Sequence, residues 1–148
     1  YSGLMFNHES EFRKNNYLIM KIVNNAIKIN NYKNHKLTIG SSEYIRDWSY
    51  AGDTASAIYN ITENGNYTNY VIGSGKGHKI SEILEIVFSY FNLDWRNYIL
   101  IDNSLLRKGD PNKIVSDPSL VLQDLGWKTK TSFETIITKC IDSRIPKS

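Results

Sequence analysis

Short apolar runs alternate with helix-like segments along almost the whole chain, and this alternation restricts the possible folds more than any other feature. Apolar runs that predict strands occupy residues 1–6, 36–40, 43–49, 69–75 and 97–102. Apolar residues at helical spacing predict amphipathic helices over 16–29, after Asp53, after Ser81, over 119–125 and after Ser132. The sequence therefore predicts a mixed α/β fold built from short elements.

Polar residues mark the predicted helix ends. The N-caps are expected at Asp53, Ser81, Asp117 and Ser132, and Gly126 is expected to end the helix over 119–125. Two helices have clear apolar faces. The first consists of Leu18, Ile22, Ala26 and Ile29, and the second of Ile83, Ile86, Val87 and Tyr90.

Composition excludes several classes of protein. With 148 residues, 41% of them hydrophobic and 22% charged, the chain suits a single domain over residues 1–148 and is too apolar for disorder. The net charge of +3 comes from scattered basic residues, whereas a nucleic-acid-binding protein usually has a basic stripe. No apolar run is long enough to span a membrane and no signal-peptide pattern opens the chain, so we expect a cytoplasmic protein.

Two further features concern the single cysteine and the start of the chain. Cys140 has no second cysteine to pair with and lies on the apolar face of the last predicted helix, so we expect a buried thiol. The opening "YSGLMF" reads as a strand already under way, without a turn before it. We therefore expect this chain to be a fragment of a longer protein.

The stretch "EYIRDWSYAGD" places Arg46 and Asp47 inside an apolar strand. A buried charge needs a partner that offsets its desolvation. The pattern leaves two interpretations open: the two residues form an ion pair, or Arg46 binds an anion that does not belong to the protein.

Three other patterns indicate catalysis or cofactor binding only weakly. "GSGKGH" begins like a dinucleotide fingerprint at Gly73 and Gly75, but His78 stands where the third glycine is required, so a tight strand-to-helix turn is favoured. Two Tyr-x-x-x-Lys pairs, ending at Lys21 and Lys36, lack any accompanying catalytic serine or cofactor motif. The three histidines have no metal-ligand spacing, and we expect neither a metal nor a catalytic residue in this chain.

Four stretches place polar or charged groups next to predicted strands and helices. They are "NHES" at 7–10, Lys21, "RDW" at 46–48, and Arg107 with Gly109-Asp110-Pro111. Taken separately, they are a turn, a solvated lysine, an ion pair and a polar turn. Taken together, three bases and an Asn amide would suit a diphosphate, and Asp110 a ribose.

The same stretches carry a resemblance to a known family. The order "GLMFNHES", "LTIG", "EYIRDWSYAGD", "YVIGSGKGHKISEILE" and "LLRKGDPNKIVSDPSLVLQDLGW" resembles the C-terminal half of the GDP-mannose 4,6-dehydratases. These are extended short-chain dehydrogenase/reductases. The resemblance spans nearly all of the chain, and "NHES" after an apolar strand is its most specific part. It implies a small C-terminal substrate-binding domain, separated from an N-terminal Rossmann domain that these residues do not include.

The resemblance also implies a role for each candidate site residue. Asn7 would bind the sugar-phosphate region, and Glu9 and Ser10 would lie beside the sugar. Lys21 would help to hold the nucleotide, while Arg46 and Arg107 would clamp its diphosphate. Asp110 would contact the ribose. Asp47 would orient Arg46, and Asp53 would cap its helix.

The implied activity belongs to the full-length parent, a lyase of deoxysugar biosynthesis that converts GDP-mannose to GDP-4-keto-6-deoxymannose with bound NADP. Its NADP site and catalytic groups would lie in the N-terminal half, so the fragment alone is expected to be inactive, and the parent is expected to be a homodimer or tetramer. Because Glu11 to Lys14 depart from the family pattern, a UDP-, dTDP- or CDP-sugar epimerase, dehydratase or reductase stays an alternative. The third possible function is that of a stand-alone binding module without catalytic activity.

Overall fold

The structure, a computed structural model, describes residues 1–145 as a mixture of short strands and helices. The helices are α1 (Leu18–Asn31), α2 (Ala51–Asn64), α3 (Ile80–Tyr90), α4 (Ser119–Leu125) and α5 (Phe133–Asp142). The strands are β1 (Ser2–Met5), β2 (Asn7–Glu9), β3 (Leu37–Ile39), β4 (Ile45–Tyr50), β5 (Asn69–Ile72), β6 (Gly77–Lys79), β7 (Ile99–Ile101) and β8 (Lys113–Ile114). The predicted mixed α/β class is confirmed.

The chain divides into two compact units, and the expected domain organisation of the full-length protein stays a prediction. The first unit comprises Tyr1–Ser10, Ile45–His78 and Lys113–Ile136. The second comprises Glu11–Tyr44, Lys79–Asn112 and the chain from Ile137. Each unit is therefore assembled from three separate segments. None of the helices within residues 1–145 is both long and apolar enough to cross a membrane.

Parallel strand pairs organise the first unit. β1 pairs with β5 from Ser2 opposite Asn69 to Met5 opposite Ile72, and β2 pairs with β4. Helix α2 connects β4 with β5, which pair with different strands. The apolar core of this unit consists of Ala57, Ile61, Tyr70, Ile72, Val121 and Trp127.

Strand β4 lies inside a four-stranded sheet, where β2, β6 and β8 pair with it. Its residues Asp47, Trp48 and Ser49 are all buried. Because successive side chains of a strand point to opposite faces, burial of three in a row means that β4 is covered on both faces. A charged residue at position 47 therefore has to find its partners inside the protein.

Helices α1 and α3 pack together in the second unit, which also contains the parallel pair β3–β7. Ile22, Ala26 and Ile29 are completely buried, as predicted for α1, but Ile19, Met20 and Val23 are buried too. On α3 the buried stripe is Ile80, Ile83, Leu84, Val87 and Phe88. The prediction was wrong for Tyr90, which is 47% exposed. The buried face of α3 contains Leu84 and Phe88 beside Ile83 and Val87, and Tyr90 lies outside it. Cys140 is fully buried, as predicted.

Of the five predicted helix ends, two are confirmed and two are wrong. At the fifth, Pro118 takes the N-cap position of α4 in place of Asp117, whose Oδ1 still accepts a hydrogen bond from Ser119 N at 3.0 Å. Gly126 has the left-handed φ of 62° expected of a C-cap, and Ser132 Oγ accepts a hydrogen bond from Thr135 N at the start of α5. Helix α3 begins earlier than predicted, and Glu82, rather than Ser81, accepts a hydrogen bond from its N-cap Lys79 N. Asp53 does not cap α2, because β4 leads directly into that helix at Ala51. Its carboxylate instead accepts from Lys130 N and Thr131 N, at 2.9 and 2.8 Å.

A small polar network ties α4 to the turn after α2. The Asp124 carboxylate accepts hydrogen bonds from the Tyr70 hydroxyl and from the backbone and side-chain nitrogens of Asn66. The Tyr70 hydroxyl, followed by the Asn66 side chain, lowers the pKa of Asp124 below its ordinary value of 3.8. The network therefore favours the ionised carboxylate in the folded chain.

We expect the stabilising effect of Asp124 to depend on pH. Because its pKa is lower in the folded chain than in the unfolded one, the stabilisation is present above pH 3.8 and is lost as the pH falls through the lowered value. Asp124→Asn should lower the unfolding temperature at pH 7, and the difference should shrink below about pH 4. Glu63→Gln, at an exposed position of α2, is the control and should have no such effect. A difference that stays constant down to about pH 2 would contradict the assignment.

Candidate functional site

A cavity in the first unit brings together two of the residues that the sequence singled out. It has a volume of about 250 Å³ and contains Asn7 and Arg46. Its remaining lining residues are apolar: Leu4, Met5, Phe6 and Ile114. Strand pairing explains the juxtaposition, because Asn7 lies opposite Trp48 and Arg46 lies opposite Ile114. Residues far apart in sequence thus meet at adjacent strands.

The two polar side chains of this cavity differ in how they are held. Arg46 is half-buried, and its Nη1 donates a hydrogen bond to Ile45 O at 2.8 Å. Asn7 is exposed, and its side-chain amide has no hydrogen-bond partner among residues 1–145. A planar guanidinium and an amide against apolar walls can bind an anionic group attached to a less polar body.

Asp47 is enclosed by hydrogen-bond donors from distant segments of the chain. Its completely buried carboxylate accepts five hydrogen bonds, all from Ser74, Gly75 and Ser116. The backbone N–H groups of these residues lie 3.0, 3.0 and 3.2 Å from its oxygens, and both serine hydroxyls donate as well. None of these hydrogen bonds goes to Arg46, since adjacent side chains of a strand point to opposite faces, and the expected role of Asp47 in orienting Arg46 stays a prediction.

Glu9 and Ser10 follow Asn7 at the end of β2. Glu9 lies opposite Tyr50 and is only 4% exposed, while Ser10 is half-buried. Neither residue lines the cavity of Asn7 and Arg46. Their expected place beside a sugar stays a prediction.

Lys21 lines a separate cavity of about 440 Å³ in the second unit. Its Nζ donates a hydrogen bond to Thr38 O at 3.3 Å. The same cavity has two further cationic side chains, Lys28 and Arg144, and no acidic residue among those that line it. Sequence reasoning missed both residues. Lys28 follows Lys21 at a spacing of two helical turns, which could have signalled it, but nothing in the sequence connects Arg144 with α1.

Arg107 and Asp110 lie in one turn of the second unit. Asp110 N donates to Arg107 O at 3.1 Å, and Gly109 has the positive φ of 78° that the turn requires. Arg107 is exposed, and its guanidinium has no hydrogen-bond partner within residues 1–145. The turn thus presents a cationic side chain to solvent.

The glycine-rich loop after β5 does not fit a dinucleotide. A pyrophosphate site needs free backbone N–H groups at the start of a helix. Here the N–H groups of Ser74 and Gly75 donate to Asp47, and strand β6 separates the loop from α3. The predicted tight strand-to-helix turn was wrong, because β6 lies between this loop and α3. Gly73 is instead needed for close packing on Ser116.

The other weak motifs have structural explanations. The His78 ring stacks on Phe133 with centroids 3.8 Å apart, and His35 Nε2 bonds to Asn25 Oδ1 at 2.7 Å. No group of three possible metal ligands occurs within residues 1–145. Tyr17 precedes α1 and lies under the Arg13 guanidinium, 3.6 Å from it, whereas Lys21 reaches the Thr38 carbonyl.

Solved structures with the same fold include two that were determined with a nicotinamide cofactor bound. RMD from Pseudomonas aeruginosa, complexed with NADPH, superposes with a TM-score of 0.84 at 18% identity, over 95% of this chain and 46% of that one. The dTDP-glucose 4,6-dehydratase of Bacillus anthracis, in complex with NAD, gives 0.79 at 18% identity, over 95% and 43%. The chain therefore has the fold of the C-terminal part of the extended short-chain dehydrogenase/reductases.

Sequence comparison narrows this class to one family. The family model for GDP-mannose 4,6 dehydratase matches residues 1–140. GDP-mannose 4,6 dehydratase 2 of Arabidopsis thaliana is 31% identical over 141 residues, which are 95% of this chain and 38% of the relative. The human GDP-mannose 4,6 dehydratase is 22% identical over 97% of this chain and 43% of its own length. The chain belongs to the GDP-mannose 4,6 dehydratase family and spans less than half the length of these relatives.

Proposed function

We propose that this chain is the nucleotide-sugar-binding part of a lyase that converts GDP-mannose to GDP-4-keto-6-deoxymannose. The observation that carries the proposal is the cavity in which Arg46 and Asn7 lie among apolar side chains, in a chain that belongs to the GDP-mannose 4,6 dehydratase family. In this proposal Arg46 binds the diphosphate, and Asn7 binds the adjoining sugar-phosphate region.

The chemistry of these side chains supports the assignment. The guanidinium of Arg46 matches the geometry of phosphate oxygens and forms charge-assisted hydrogen bonds, which are stronger than neutral ones. Asn7 offers both donors and an acceptor to a sugar or phosphate oxygen. The apolar walls formed by Leu4, Met5, Phe6 and Ile114 offer a surface to the less polar parts of such a ligand.

The other site residues predicted from the sequence are assigned one by one. We assign nucleotide binding to Lys21, diphosphate binding to Arg107 and ribose binding to Asp110, with Glu9 and Ser10 of the first unit beside the sugar. Arg107 is exposed without a hydrogen-bond partner among residues 1–145, which leaves its five donors available to a ligand. Lys21 uses one of its three donors on Thr38 O.

We place the redox chemistry outside these residues. NADP, which accepts and returns a hydride in such a reaction, would be bound by an N-terminal Rossmann domain of the full-length enzyme, since the Gly73–Gly75 loop uses its N–H groups on Asp47. The residues of this chain bind and orient the nucleotide-sugar. We further propose that the full-length enzyme is a cytoplasmic homodimer or tetramer.

A nucleotide-binding panel tests this function. Calorimetric titration of the full-length protein with GDP, UDP, dTDP and CDP should give the tightest binding with GDP. A preference for UDP, dTDP or CDP would favour an epimerase, dehydratase or reductase of another nucleotide-sugar. This second candidate is supported by the fold shared with the Bacillus anthracis dTDP-glucose 4,6-dehydratase. Absence of binding to all four would favour a non-catalytic module.

A further inference from the structure

Asp47 is a completely buried carboxylate without a cationic partner among residues 1–145. A buried charge is costly unless several donors compensate for the water that it loses. Asp47 meets this requirement with five hydrogen bonds from two segments, the loop at Ser74–Gly75 and Ser116. Asp47 is adjacent to Arg46 in β4, so the segments that it holds can also affect the surroundings of Arg46.

The position of Ser116 connects Asp47 with the cavity of Arg46. Strand β8 is only two residues long and pairs with β4 at Lys113 and Ile114. Such a short pairing contributes little stability by itself. Ser116 follows two residues after Ile114, and both its backbone N–H and its hydroxyl donate to Asp47. Asp47 thereby extends the attachment of β8 to β4 beyond the end of the strand.

The segment held in this way forms part of the cavity wall. Ile114 lies opposite Arg46 in the strand pairing, and both residues line the cavity that contains Asn7. We propose that Asp47 is a positioning residue for nucleotide-sugar binding. By fixing Ser116 and the Ser74–Gly75 loop on one face of β4, it keeps Ile114 beside Arg46 on the other, which limits the orientations available to the guanidinium. This inference rests on the proposed diphosphate-binding role of Arg46.

Asp47→Asn is the variant that tests the proposal with the least disturbance. One oxygen of Asp47 accepts from Ser74 N and its hydroxyl, and the other accepts from Gly75 and Ser116. An Asn side chain keeps the volume and, with its nitrogen towards Ser74, loses one backbone N–H partner while the Ser74 hydroxyl can turn to accept. The variant should therefore fold, although with a lower unfolding temperature.

The experiment is a double-mutant cycle on the full-length protein, with GDP as the probe. Asp47→Asn should raise the Kd for GDP on the order of fivefold to tenfold. In an Arg46→Lys background the same substitution should leave the Kd for GDP almost unchanged, because a lysine has no planar guanidinium group that needs to be oriented. An equal effect in both backgrounds would overturn the proposal, as it would indicate a general loss of structure.

Asp53→Asn is the matched control. Asp53 is another carboxylate of the first unit that holds a loop, through hydrogen bonds from Lys130 N and Thr131 N rather than from the segment after β8. Asp53→Asn should lower the unfolding temperature and leave GDP binding unchanged. If Asp53→Asn and Asp47→Asn weakened GDP binding equally, the proposal would also be overturned. If Asp47→Asn fails to fold, Ser116→Ala, which removes one hydroxyl bond to Asp47, decides the question by the same cycle. Absence of GDP binding by the unsubstituted protein would instead reject the proposed function.

Discussion

Arg46→Ala should weaken the binding of GDP by about 1.5–3 kcal/mol, which corresponds to roughly 10- to 150-fold in Kd. Among residues 1–145, Arg46 is the only cationic side chain that lines the cavity containing Asn7, and the substitution removes it. It would eliminate the charge-assisted hydrogen bonds that a guanidinium makes with a diphosphate. The measurement is calorimetric titration of the full-length protein with GDP, and Arg107→Ala should have an effect of similar size.

Two further variants separate the role of Arg46 from that of positive charge in general. Arg46→Lys retains the charge but loses the planar fork, so its affinity should fall between those of Arg46→Ala and the unsubstituted protein. Arg96→Ala removes an exposed arginine of the second unit that pairs with Asp94, and it should leave GDP binding unchanged. Unchanged affinity in Arg46→Ala would show that the diphosphate is bound elsewhere.

Gly73→Ala should destabilise the fold by about 1–3 kcal/mol, because an added methyl group would overpack a buried polar network. A Cβ at this position would overlap Ser116 Oγ and lie 2.7 Å from Ser116 Cβ and 3.0 Å from Asp47 Oδ2. Relief of this overlap requires Ser116 to move away from Asp47. Urea denaturation of the substituted and unsubstituted chains measures the difference.

Gly3→Ala provides the comparison for Gly73→Ala. A Cβ at Gly3 would meet only Ile72 Cδ1 at 3.3 Å, and this methyl group is the end of a side chain that can shift. Its effect on stability should therefore be close to zero. If Gly73→Ala left stability unchanged and abolished binding of a nicotinamide cofactor, the loop would be a cofactor site and our structural interpretation would be wrong.

Local sequence patterns predicted most of the individual elements. The Gly126 C-cap and the Ser132 N-cap are confirmed, because each depends on a few neighbouring residues. Predictions failed where a distant segment competed for a side chain. Asp53 was predicted to cap α2 but accepts hydrogen bonds from Lys130 N and Thr131 N, which lie 77 and 78 residues further along the chain.

The residues of the candidate cavities likewise fall into two groups, those that the sequence indicated and those that only the tertiary structure revealed. Arg46 and Asn7 stood out in the sequence because each is polar next to an apolar strand, and the parallel pairing of β2 with β4 explains why they share a cavity. Nothing in the sequence indicated that Ile114 would line the cavity, since an isoleucine in a polar segment has no feature that links it to a binding site. Arg144 was likewise invisible, because only the tertiary structure brings it to the cavity of Lys21.

By itself, the sequence determined the α/β class, the family resemblance and the identity of the charged residues that need an explanation. The pair Arg46–Asp47 was ambiguous in the sequence between an ion pair and an anion site. The tertiary structure gave each residue its own surroundings: Asp47 is enclosed by donors from Ser74, Gly75 and Ser116, and Arg46 faces a cavity. The physical reason is that a strand covered on both faces sends neighbouring side chains into two different environments, and only the packing of distant segments decides what each environment contains.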